Sequence, residues 1–127
     1  MKKYLIMSFG IFSSFITYSQ NSLENSKWKI HTEIPRSSDL QYEFKKDTLV
    51  VFNDSGIETQ RMLFSQRHDT IYLKMLSGTS PCPIGTEGWY NLVWKENGQT
   101  FSLKVIKDNC GSRINRLTKM QVLQKIN

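Results

Sequence analysis

The sequence predicts an all-β fold, an eight-stranded antiparallel up-and-down barrel. Three observations lead there. Apolar and polar residues alternate with a period of two in one segment after another, as half-buried strands require. The segments are joined mostly by short turns rich in Asn, Asp and Gly, and no stretch sustains a 3.6-residue apolar period. Closing such a meander removes its unpaired edges, which favours a barrel, with a two-sheet sandwich as the alternative.

The elements follow in order. A polar lead, residues 20–26, precedes Lys27-Trp28-Lys29-Ile30-His31, where Trp28 and Ile30 share one face. Pro35 to Asp39 reads as a loop, after which Leu40, Tyr42 and Phe44 alternate with Gln41, Glu43 and Lys45. Lys46-Asp47 turns the chain into Thr48–Phe52, a β-branched and aromatic run. Asn53-Asp54-Ser55-Gly56 is turn chemistry, because Asn, Asp and Gly tolerate positive φ. Ile57 to Ser65 forms a fourth strand with Met62 and Phe64 inward, Gln66 to Asp69 turns, and Ile71, Leu73 and Met75 mark a fifth. Ser77 to Gly88 is the longest irregular stretch. Tyr90, Leu92 and Trp94 then alternate, Asn97-Gly98 makes a hairpin, and Phe101, Leu103 and Val105 alternate beyond it. Asp108 to Arg116 predicts a short helical turn, and Thr118 to Lys125 a closing strand with Met120 and Val122 on one face.

The 127 residues suit a single domain. Residues 1–19 read as a signal peptide: Lys2 and Lys3, then an apolar run from Tyr4 to Ile16, then Thr17-Tyr18-Ser19 with small side chains flanking Tyr18. Cleavage before Gln20 leaves residues 20–127 as the barrel domain. The run is too short for a membrane span, and no Cys follows it to carry lipid, so no stable membrane anchor is expected. Loss of two lysines leaves 15 basic against 11 acidic residues, a net charge of +4. That balance, without a basic block and in an exported chain, reads as solubility and not as nucleic-acid binding. The destination is the periplasm or the exterior. There Cys82 and Cys110, the sole cysteines, are expected to form a disulfide worth about 3–4 kcal/mol. Ligation of a metal is the less favoured use of these cysteines, since His31 and His68 stand alone, and no metal or cofactor is predicted.

The final third runs Gly85-Thr86-Glu87-Gly88-Trp89-Tyr90, Trp94, Asn97-Gly98, Phe101-Ser102-Leu103 and Asp108-Asn109-Cys110-Gly111-Ser112-Arg113. With Trp28 on the first strand, this resembles the small bacterial lipocalin-like, or calycin, barrels. In them G-x-Y-x-W precedes a D-G hairpin and a D-x-C-x-x-R closing loop. Here Asn97 replaces the Asp, the run before Trp94 is longer, and Asn25-Ser26-Lys27-Trp28 stands where full lipocalins carry Gly-x-Trp. The resemblance implies a lipocalin-like barrel that holds a small apolar or amphipathic molecule.

Physical chemistry adds to this. An Arg guanidinium laid over an indole gains a cation–π contact and covers a barrel end, so Arg113, or else Arg116, is expected against Trp28. Asp108 is expected to accept backbone amides of its loop or to pair with Arg113. The inward set is Trp28, Tyr42, Phe44, Phe64, Leu73, Met75, Tyr90, Leu92, Trp94, Phe101, Leu103 and Met120. Of these, Tyr42, Phe44, Phe64, Met75, Tyr90 and Trp94 are the candidate ligand-binding residues, and the same residues suit a filled interior equally well. No catalytic residue is assigned. No nucleophile elbow, phosphate loop or zinc-binding helix occurs, and nothing pairs Glu33, Glu43, Glu58 or Glu87 across a cleft. A filled barrel acting on a protein partner through loops such as 77–88 is the alternative function. A small-barrel isomerase or cyclase is the third, and would need Glu87, Tyr90 or a His to converge in a closed pocket.

Overall fold

The structure is a computed structural model and describes residues 22–32, 37–118 and 122–126. The proposed signal peptide, Glu33 and Met120 lie outside the described residues. Eight strands follow one another: β1 (Ser26–Thr32), β2 (Ser38–Phe44), β3 (Thr48–Phe52), β4 (Glu58–Arg67), β5 (Thr70–Gly78), β6 (Glu87–Lys95), β7 (Thr100–Asp108) and β8 (Leu123–Lys125), with one helix, α1 (Gly111–Thr118), between the last two. Each strand pairs antiparallel with the next, and β8 pairs with both β7 and β1, through Phe101↔Leu123 and Trp28↔Lys125. That last pairing closes the barrel and removes the sandwich alternative.

Turn chemistry explains the corners. Asn53 Oδ1 accepts the backbone amides of Ser55 (2.9 Å) and Ile57 (3.0 Å), and Gly56 takes φ +79°. The β4–β5 corner is tighter than expected, only His68 and Asp69, because Arg67 and Thr70 already pair. Glu96, Asn97 and Gly98 all adopt positive φ at the β6–β7 corner, as the Asn-Gly signal requires.

Inward residues of the strands form one core that includes Trp28, Ile30, Tyr42, Phe44, Met62, Phe64, Ile71, Leu73, Met75, Tyr90, Leu92, Phe101 and Leu103. Two departures from simple alternation matter. On β7 the register passes from Tyr90↔Val105 to Trp89↔Lys107, so Ile106 is an inserted residue. This bulge shifts the phase by one. Val105 and Ile106 stay 41% and 52% exposed, Lys107 pairs on the outer face, and Asp108 pairs with the buried Gly88 and has a buried side chain. At the chain's end Leu123, not Val122, is buried, which corrects the predicted face of the closing strand.

The barrel base is closed by residues of the polar lead. Leu23 is buried, and its amide donates to Gln66 Oε1 at 2.8 Å. The Ser26 hydroxyl donates to the Leu23 carbonyl and accepts the Trp28 indole N–H at 2.6 Å, so the buried indole is satisfied locally. Trp28 then packs edge-on against Phe101 (centroids 4.6 Å, 73°) and more loosely on Trp94 (6.0 Å). Leu23→Ala should cost about 2–5 kcal/mol and Trp28→Ala about 3–5 kcal/mol in equilibrium denaturation. A near-neutral Leu23→Ala would show that the plug contributes little.

Candidate functional site

The expected Arg113–Trp28 contact does not form. Trp28 meets Phe101 near the start of β7, whereas Arg113 meets Asp108 at its end. Seven residues of strand, about 23 Å, separate the two positions. The guanidinium therefore serves the opposite end of the barrel from the one assigned to it.

There the Asp108 carboxylate is a hub. One oxygen accepts Arg113 Nη2 (2.9 Å) and the Cys110 amide (2.8 Å), and the other accepts Arg113 Nε (2.6 Å) and the Tyr90 hydroxyl. Both roles expected of Asp108, amide acceptor and Arg113 partner, are thus realised together. Arg113 Nη2 also donates to the Thr86 carbonyl (3.1 Å), and Nη1 lies 3.8 Å from Met62 Sδ. The side chains of Arg113 and Asp108 are 4% and 0% exposed. Gly88 is required beside them: a Cβ there would lie 2.5 Å from Asp108 Oδ2. With four donors the carboxylate has no acceptor capacity left for a substrate proton or a cation. Burial pushes the Asp108 carboxyl upward, but the bonds from Arg113, Tyr90 and the Cys110 amide outweigh it and hold the group below its usual range. Burial first, then the bond to Asp108, raises the Tyr90 phenol well above its usual range. The cluster is a structural brace.

The Cys82–Cys110 disulfide forms as expected, with Cα atoms 5.6 Å apart. It and the Arg113–Thr86 bond both tie the start of α1 to the loop before β6.

The candidate ligand-binding residues are packed against one another and their neighbours. Tyr42, Phe44, Phe64, Met75 and Tyr90 are buried, and the rings of Phe44 and Phe64 meet at 4.8 Å, tilted 60°. Trp94 lies across Trp28 and Phe101 and donates to Asp69 Oδ1 at 3.3 Å. Beneath α1, a cavity of about 10 Å³ touches Tyr42, Gln60, Met62 and Leu117. That is barely room for one water. Burial raises the Tyr42 phenol to about 12, partly opposed by Arg116.

The groups that an isomerase would need to gather are dispersed. Glu87 is on the outer face, accepting the Tyr72 hydroxyl at 2.5 Å, while Tyr90 points inward. That bond raises the Tyr72 phenol. His31 and His68 are exposed. An acid faces His31: Asp39 lies directly opposite in the β1–β2 register, its Oδ1 2.7 Å from Nδ1, and Ser37 Oγ is 3.3 Å from Nε2. The order Ser–His–Asp is that of a nucleophilic relay, but His31 and Asp39 are 52% and 56% exposed, and bulk water screens the polarisation that such a relay depends on. Among the described residues no group of three metal-ligating side chains gathers.

Sequence reasoning passed over the outer face of β5 and β6, where Tyr72 and Trp89 stand opposite each other with ring centroids 5.3 Å apart. The signal was present, since both aromatics fall on the polar phase of their strands.

No family model, curated protein or solved structure matches the chain. The architecture itself, a closed eight-stranded antiparallel barrel, is consistent with the lipocalin-like resemblance. Among the described residues no helix is long and apolar enough to cross a membrane, and the disulfide is compatible with a place outside the cytoplasm.

Arg113→Met should destabilise by about 3–5 kcal/mol, because it strands a buried carboxylate. Since the folded Asp108 pKa lies below its unfolded value near 3.8, its contribution is complete above that value and is lost as pH falls through the folded pKa. Asp108→Asn should therefore lower the melting temperature at neutral pH and flatten its fall below pH 3.8. Tyr42 behaves oppositely: its contribution is full below pH 10 and is lost as pH rises towards about 12. Tyr42→Phe should blunt the alkaline loss of stability over that range. Reduction of Cys82–Cys110 should cost about 3–4 kcal/mol, read as a lower melting temperature in dithiothreitol.

Proposed function

We propose that the chain is an exported barrel of the lipocalin-like kind whose interior is a filled core and whose recognition surfaces lie outside it. The observation that carries this reading is the packed interior, where the space beside Tyr42 and Met62 amounts to about 10 Å³. A small apolar ligand would bury most of its surface in a cavity of at least about 300 Å³. To admit one, Phe44 would have to part from Phe64, or Trp94 from Trp28 and Phe101, at the cost of those ring contacts.

The loop between β5 and β6 supports action on a protein partner. It is held by the Cys82–Cys110 bridge, by Arg113 Nη2 on the Thr86 carbonyl, and by the backbone bonds Gly85 N to Met75 O (2.8 Å) and Met75 N to Thr86 O (3.0 Å). From this braced frame Ile84 projects 75% exposed. A rigid loop that presents an apolar side chain loses little conformational entropy on binding, which suits an interaction or inhibitor module.

Native mass spectrometry of the mature protein, compared with its denatured mass, tests the filled interior. Equal masses are expected; a discrete extra mass lost on denaturation would restore the interior-ligand reading. Ile84→Asp should leave the melting temperature unchanged while abolishing capture of a partner from the native extracellular or periplasmic fraction. Undiminished capture by this variant would remove the loop from the reading.

A further inference from the structure

The outer face of β4 to β7 carries two aromatic side chains on the polar phase of their strands. Tyr72 and Trp89 are half-buried there, tilted 49° to one another, and they wall a groove of about 490 Å³ with Ser65, Arg67, His68 and Thr70. The ladder registers arrange this face in cross-strand rows. One row reads Ser65–Tyr72–Trp89–Lys107, and the next reads Arg67–Thr70–Asn91–Lys104. On the other side of the aromatic pair Lys74 stands opposite Glu87. Four cations therefore frame two aromatic rings, with the Glu87 carboxylate beside them on the Tyr72 hydroxyl and Asp69 at the hairpin corner holding the Trp94 indole.

We infer that this face binds a strand of acidic polysaccharide, its pyranose rings on Tyr72 and Trp89 and its acidic groups on the surrounding lysines and Arg67. The chemistry is complementary on each count. The electropositive C–H edges of a sugar ring meet the electron-rich faces of the aromatics. Carboxylates or sulfates meet Arg67, Lys104 and Lys107 as charge-assisted hydrogen bonds. Sugar hydroxyls are donors as well as acceptors, and Glu87 and Ser65 offer them acceptors. The Thr70 hydroxyl, bonded to Asn91 Oδ1 at 3.2 Å, orients the Asn91 amide in the same row. A nucleic-acid backbone presents chiefly phosphate acceptors and few hydroxyl donors, so it would leave the acceptors Glu87 and Ser65 unused. Each row crosses four strands, about 14 Å, the reach of a short oligosaccharide. This extends the reading that recognition lies outside the barrel but involves a different surface from the Ile84 loop.

Binding of the mature protein to polygalacturonate and to heparin, read by affinity electrophoresis and by Trp fluorescence, tests the assignment. Both should bind and dextran should not, and added salt should weaken both. Trp89→Ala and Tyr72→Ala should each weaken binding about tenfold, with Trp89→Phe restoring most of it. Lys107→Glu should also weaken it, whereas Lys29→Glu, the same change of net charge on β1, should not. Melting temperatures report whether each variant is folded, and Lys107→Glu carries the test if the aromatic variants are not. Failure to bind either acidic polymer, or wild-type binding by folded Trp89→Ala and Lys107→Glu, overturns the assignment. Equal retention by dextran removes the acidic requirement and overturns it too, and tighter capture of oligothymidylate would make the face a nucleic-acid surface instead. A retained small molecule in native mass spectrometry, with polysaccharide binding intact, would overturn the filled-barrel reading and leave this one standing.

Discussion

Almost everything at the helical end of the barrel depends on how one carboxylate is satisfied. Asp108 is buried, so its charge is tolerable only because every acceptor position is occupied, by Arg113 twice, by Tyr90 and by the Cys110 amide. Those donors come from β6, from α1 and from the turn between β7 and α1, and the carboxylate draws them together. Two further features exist to let it do so. The Ile106 bulge turns Asp108 inward where simple alternation would have turned Lys107 inward, and Gly88 leaves the space that the carboxylate fills. The disulfide repeats the same attachment covalently a few ångströms away. The cost of burying the charges offsets much of their attraction, so the cluster's main demand is that neither partner be left without the other.

The other end is closed by apolar means. Leu23 plugs the base, and a single hydroxyl, that of Ser26, mediates between the Leu23 carbonyl and the Trp28 indole. With one end sealed by carbon and the other by a saturated ion pair, the interior has few groups left for chemistry. This redirects attention to the outside of the barrel, where the strands alternate just as regularly and where aromatic side chains are the exception.

Alternation made the strand order, most of the core and the corners legible, because a period of two is a local property of the chain. The features it missed are non-local. A bulge is not written in β7 itself; Ile106 is displaced because Asp108 has partners on β6 and α1 that lie far away in sequence. Leu23 looked like an isolated apolar residue in a polar lead, and only the closed base gives it somewhere to go. The assignment of Arg113 to Trp28 followed a sound contact chemistry to the wrong end of the barrel, since sequence spacing does not say which end a closing loop covers. Tyr72 and Trp89, by contrast, were readable: the same alternation that placed Tyr90 and Leu73 inward placed these two outward.

The closing strand has a consequence for how the molecule is made. β8 is three residues long, yet it alone joins β7 to β1, through pairs such as Trp28↔Lys125 that connect nearly the two ends of the described chain. Contacts of such sequence separation are slow to form. Until they do, the nascent sheet carries two open edges, β1 and β7, each able to pair with another chain. Closure through so short and sequence-distant a latch is expected late in assembly, and in the interval before it the open edges are available for self-association.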